Sequence, residues 1–153
     1  MKEFDYDLNY KELDFTDEET RKLYRIGRGE QGVLLVRPYT NDICAHWRFK
    51  TPEIAQKSAK KIYEMYLEYR DDKDFIGMDM CRKFLEMGFT RSRRYANHRD
   101  GKKYDKEGNV IPQEKDHATC HFAKSATIFK KTRDVVAKSA SYASMRQHWR
   151  ENE

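Results

Sequence analysis

The sequence predicts a single α+β domain, in which a short antiparallel β-sheet over about 23–49 is packed by three to five helices. Three observations carry that expectation. The apolar runs between 23 and 49 are short, rich in Val, Leu and Ile, and punctuated by glycine and proline. Residues 51–69 hold an apolar stripe at helical spacing behind a strong start signal. The chain has 153 residues, 20 of them aromatic, enough for one core that needs no disulfide staple.

Residues 1–22 carry eight acids against four cations, and Phe4, Tyr6, Leu8, Tyr10, Leu13 and Phe15 are spaced through them. This acidic N-terminal arm is set apart from a domain spanning 23–150, and is either laid on the core in extended form or solvated. Leu23 to Ile26 leads into Gly27-Arg28-Gly29-Glu30-Gln31-Gly32, and Val33 to Val36 then reads as a strand buried on both faces. Pro38 to Asp42 read as a turn. Ile43 to Phe49 alternate as a half-buried strand, with Trp47 and Phe49 inward and Arg48 outward.

Thr51-Pro52-Glu53 supplies a hydroxyl cap, a proline at the first helical position and an acid in the first turn. The stripe behind it runs through Ile54, Ala55, Ser58, Ala59, Ile62, Tyr63 and Tyr66, and extends toward Tyr69. A second helix is expected from about Phe75 to Met87, stopped at Gly88, with Met80, Cys81, Phe84 and Leu85 buried. Thr90 is a cap for a further short helix, on which Arg91, Arg94 and His98 share a face. Residues 99–115 read as a loop, about Glu114 to Lys138 as a long helix, and Ser139 to Trp149 as a separate terminal one.

Charge is the strongest functional signal. Between Arg91 and Lys106 stand seven cations and two acids, while the remaining 24 cations and 24 acids cancel. Arg91, Arg93, Arg94, Arg99, Lys102 and Lys103, interleaved with Tyr95, Asn97 and Tyr104, predict a surface that tracks phosphates and stacks on or hydrogen-bonds bases. Arg28 and Arg48 are weaker additions. A solvated surface, or one paired with the acidic arm, is the plainer use of the same charges.

Other chemistry is poorly supported. Gly27, Gly29 and Gly32 match G-x-G-x-x-G, but a dinucleotide cradle should open a helix, and here a strand is expected next. Glycines beside Arg25 and Arg28 still leave room for backbone amides to approach a phosphate. His117 and His121, four apart on the expected helix, supply two ligands where a metal needs more, so neither a metal nor a cofactor is expected. No nucleophile motif occurs, and Glu30, Asp42, Asp79 and Asp105 make a nuclease centre only if the fold gathers them. Three well-separated cysteines and the lack of a long apolar run predict a soluble protein of a reducing compartment, without membrane contact.

The blocks YRIGRGEQGVLLVRPY (24–39), HWRFKTPEIAQKSAKKIY (46–63) and MCRKFLEMGFTRSRRYANHRDGKKYD (80–105) resemble the domain of unknown function family 4385. That family is found in T4-type phages, cyanophages and some cellular microbes, and the acidic MKEFDYDLNY opening resembles a T4-type phage member. The resemblance implies a phage protein acting in the cytoplasm of the infected host cell, and implies no reaction. The expected function is therefore nucleic-acid binding without catalysis, bearing on host or phage gene expression. The alternatives are a host-takeover module that binds a protein and, further off, a metal-dependent nuclease.

Overall fold

A computed structural model describes residues 2–153 and has six α-helices and no β-strand among them. The helices are α1 (Glu18–Arg21), α2 (Tyr39–Cys44), α3 (Pro52–Asp71), α4 (Phe75–Asn97), α5 (His121–Lys138) and α6 (Ala140–Glu151), preceded by one 3-10 turn at Tyr10–Glu12. The fold is all-α, and the antiparallel sheet expected over 23–49 does not form. Among the described residues, strand-like pairing is confined to an isolated bridge between Tyr104 and Val110.

The physical reason lies in how 23–49 satisfies its backbone. Gly27, Gly29 and Gly32 take φ of +67°, +55° and +79°, which no extended strand permits. The Val33 and Leu35 amides donate to Glu30 O (3.1 Å) and Gly32 O (3.0 Å), so the expected strand is a series of turns. Thr40 closes the segment: its hydroxyl accepts from the Val36 amide (2.9 Å) and donates to Val33 O (2.8 Å). Groups that a ladder would have paired are thereby used locally. Val36, Tyr39, Thr40 and Ile43 are all buried, at helical spacing, and α2 presents the last three to the core. Beyond α2, Trp47 and Phe49 do pack inward, and the Trp47 indole donates to Phe84 O (3.0 Å).

Helix α3 starts as expected, with the Thr51 side chain accepting from the Ile54 amide (3.2 Å). Helix α4 is the axis of the fold and packs against α2, α3, α5 and α6. Its residues Phe75 to Cys81 are buried all round, as a central helix requires. It also runs ten residues past the expected stop, from Met87 to Asn97. Gly88 is a contact point: a Cβ there would lie 2.5 Å from the Phe129 ring, so α5 crosses α4 where the side chain is missing. The short helix expected after Thr90 is absorbed into this extension.

Helix α5 begins later than expected, at His121, after turns over 115–119. Helix α6 is capped by Ser139, which accepts from the Tyr142 amide (3.4 Å). The N-terminal segment lies on the core, where the Phe4, Tyr10, Phe15 and Tyr24 rings come one after another at centroid spacings of 5.8, 6.0 and 6.4 Å. Phe4 covers Gly32, where a Cβ would sit 2.1 Å from the ring.

Candidate functional site

Two groups of cations occupy different parts of the fold. The first is the expected one, on the last turns of α4 and the loop after it. Arg91 and Arg94 are exposed on α4, and Lys102, Lys103 and Tyr104 are exposed in the loop, with the Lys103 Nζ 5.7 Å from the Tyr104 ring centre. Among the described residues none of these four cations forms an ion pair. The other expected residues are engaged within the protein. Arg93 donates to Asn97 Oδ1 (2.7 Å), and Asn97 O accepts from the Glu114 amide (2.8 Å). Arg99 pairs with Asp116 at 3.1 Å. The Tyr95 ring is half-buried against Phe49 and Phe122, with centroids 5.8 and 5.4 Å away, so it builds the wall of an apolar groove.

The acidic arm takes no part in this segment's charge balance: among the described residues no ion pair joins 2–22 to 91–106. Its Glu3 instead meets Arg28 at 3.4 Å. Arg48 donates to Cys44 O and Trp47 O (3.1 and 2.6 Å) and lines a different groove from Arg28.

The second group lies where α4 meets the glycine-rich turn and α6. Asp79, fully buried, accepts from the Tyr24 hydroxyl, from the Tyr142 hydroxyl (2.6 Å) and from Arg82 Nε (2.8 Å), with Lys83 Nζ 3.9 Å away. Burial alone would raise its pKa, but Arg82, Lys83 and the Arg82 and Tyr142 hydrogen bonds outweigh that and hold it at about 2. Lys83 is fully buried too; its burial lowers the pKa to about 8, and Asp79 offsets only part of the cost. The Tyr24 and Tyr142 hydroxyls are pushed up by burial and by the Asp79 charge.

The glycine-rich turn completes this centre in an unexpected way. Alternate carbonyls point at cations: Arg25 O and Gln31 O accept from Lys83 (3.5 and 2.6 Å), Gly27 O from Arg150 (2.9 Å) and Gly29 O from Arg82 (2.9 Å). These four carbonyls of the turn thus face cations of the protein itself. The same contacts bring Arg82 and Arg150 into the wall of a cavity of about 870 Å³, which Arg28 and Arg146 also line. Among the described residues no carboxylate lines it. Arg28 further lines a second groove of about 380 Å³ that contains Arg91. Arg82, Lys83, Arg146 and Arg150 are absent from the residues expected of a site: the apolar positions of α4 dominate the pattern around the first two, and the last two are single cations on α6 with no local run of charge. The signal present in the sequence is an acid three and four places before two cations inside an otherwise apolar run.

The acids considered for a nuclease are dispersed. Asp79 is in the core, Glu30 accepts from the Thr90 hydroxyl (2.8 Å), Asp42 lies on α2, and Asp105 caps the 105–109 turn. His117 lies in the turns before α5, whereas His121 begins it, so the two do not share a helix. Among the described residues no three His, Cys, Asp or Glu side chains gather into a group able to hold a metal. Among them, no helix is long and apolar enough to cross a membrane.

Comparison with curated proteins and with solved structures finds no match. A family model does match, over residues 5–152, and its description is domain of unknown function (DUF4385). With nearly the whole chain covered, including both cationic groups, the protein belongs to the DUF4385 family.

Proposed function

We propose that the protein binds nucleic acid without catalysis, through Arg91, Arg94, Lys102 and Lys103 with Tyr104 as a stacking ring. One observation carries the reading: these cations stand exposed and, among the described residues, free of carboxylate partners, beside an aromatic ring that is 55% exposed. Cations that fold a protein are normally paired or bonded to carbonyls, as Arg99 and Arg82 are here. Cations left free can exchange counterions for phosphates, and an exposed tyrosine can stack on a base of any sequence. Arg93, Arg99, Asn97 and Tyr95 then shape the segment, and Arg28 extends it toward the adjoining groove. A T4-type phage setting, with action in the cytoplasm of the infected cell, is part of this proposal and rests on the resemblance of the opening residues.

The test is a salt titration of binding to single- and double-stranded DNA and RNA. Four phosphate contacts give a log–log slope of about −3 to −4. Alanine at Arg94, Lys102 and Lys103 together should lower affinity and flatten that slope by about 2 to 3. Affinity indifferent to salt, or unchanged in the triple variant, would sink the reading.

A further inference from the structure

We propose that the cavity between the glycine-rich turn and α6 is a binding site for a phosphate-bearing anion of nucleotide size, with Arg146 as its free cation. The site is centred away from the exposed segment of 91–106, with Arg28 at the edge of both.

Charge is the first argument. Arg28, Arg82, Arg146 and Arg150 line one cavity, and Lys83 lies close behind them. Three carboxylates answer these five cations, and none lines the cavity. Asp79 is fully buried among Arg82 and the two tyrosine hydroxyls. Glu153, its side chain 1% exposed, lies 3.6 Å from Arg150 while accepting from the Lys2 and Ile26 amides. Glu3 meets Arg28 at 3.4 Å on the surface. Guanidiniums gathered on one concave surface repel one another, and a bound anion relieves that repulsion.

Geometry is the second. Arg82 and Arg150 are held by Gly29 O and Gly27 O, residues of the same wall, so their planar forks are fixed before a ligand arrives and little is lost in ordering them. Arg146 has no hydrogen-bond or ion-pair partner among the described residues, which leaves its donors for the ligand. The volume of about 870 Å³ lies within the range of small-molecule sites and exceeds what a bare phosphate needs. The lining contains no Ser, Cys, His, Asp or Glu, and the hydroxyl of its one tyrosine, Tyr142, is committed to Asp79 (2.6 Å), so what the side chains offer is binding.

The phosphate can belong to a free nucleotide or to the end of a nucleic-acid strand, and calorimetry on the full chain at low salt separates the two. The probes are inorganic pyrophosphate, ADP, and one short oligonucleotide with and without its 5′-phosphate. Saturable one-to-one binding of pyrophosphate is expected. Tighter binding of ADP assigns the site to a nucleotide; an oligonucleotide bound tightly only with its 5′-phosphate assigns it to a strand end; both uphold the site. Arg146→Ala should weaken binding about tenfold or more, and Arg146→Lys should recover part of that loss. Since Arg146 is exposed and forms no hydrogen bond or ion pair among the described residues, the thermal midpoint of the alanine variant should stay close to the parent's. Alanine at Lys102 and Lys103 should leave pyrophosphate affinity within about twofold, whatever it does to nucleic-acid binding. The proposal is overturned by failure of every probe to saturate, by Arg146→Ala binding like the parent, or by loss of pyrophosphate binding in the Lys102 and Lys103 variant.

Discussion

Arg82 and Arg94 stand on the same helix, and the chain uses them oppositely. Arg82 is wrapped: a buried carboxylate on one side, a turn carbonyl on the other, two tyrosines sharing the carboxylate. Arg94 is exposed and forms no ion pair among the described residues. The same division separates Lys83 from Lys102 and Lys103. The first half of α4 thus uses Arg82 and Lys83 as internal connectors, and the second leaves Arg91 and Arg94 at the surface. Net charge alone does not distinguish these uses. What distinguishes them is whether acceptors are supplied from within the chain, because a buried cation without acceptors costs several kcal/mol while a solvated one costs almost nothing.

The largest test of this contrast removes the shared acceptor. Asp79→Asn leaves Arg82 and Lys83 buried beside an uncharged amide, and should destabilise the fold by about 3–5 kcal/mol in denaturant unfolding. A loss below about 1 kcal/mol, on the order of a surface change, would erase the distinction between the two groups. Acid is the next probe. Asp79 has a folded pKa of about 2 against an ordinary value of 3.8, so its contribution is fully present above 3.8 and is lost as pH falls toward 2. It amounts to about 2 kcal/mol, and the Asp79→Asn protein should lack this part of the acid transition.

Alkali tests Lys83 with the opposite sign. Its folded pKa is about 8 against 10.5, so above 8 the unfolded chain holds a proton that the folded one has released. Stability should therefore rise from about pH 8 to 9, by about 1 kcal/mol, and Lys83→Met should abolish the rise. Above that window Cys81, Tyr24 and Tyr142, whose pKa values burial raises, favour the unfolded state as pH climbs further. The smallest expected effect is at the exposed group: alanine at Lys102 and Lys103 should change stability by less than about 0.5 kcal/mol. A large loss there would mean that the loop cations are structural after all.

Helices α3 and α6 are legible in the sequence because their signals are local. Thr51-Pro52 and Ser139 cap the helices they precede, and the α3 stripe is periodic. The sheet is a misreading because Val33 to Val36 is a short apolar run and Ile43 to Phe49 a short alternating one, each brief enough to suit a strand or a turn-and-helix segment. The deciding pattern, Val36, Tyr39, Thr40 and Ile43, crosses Pro38 and is hidden when that proline reads as a break. Gly88 looks like a stop because its real constraint, the Phe129 ring, comes from a distant part of the chain. At the candidate site, a run of like charge is enough to locate the exposed cations. The cavity is invisible in sequence: Arg28, Arg82, Arg146 and Arg150 are scattered along the chain, and folding alone joins them.

The alternating carbonyls of the glycine-rich turn have one more consequence, for the order of events in folding. Residues 25–31 have few backbone bonds of their own, and their shape is a cast taken from three cations on α4 and α6. A cast sets only after the mould is assembled. The turn should close late, once both helices have docked, and in native-state hydrogen exchange its amides should open together at a lower free energy than those of α4.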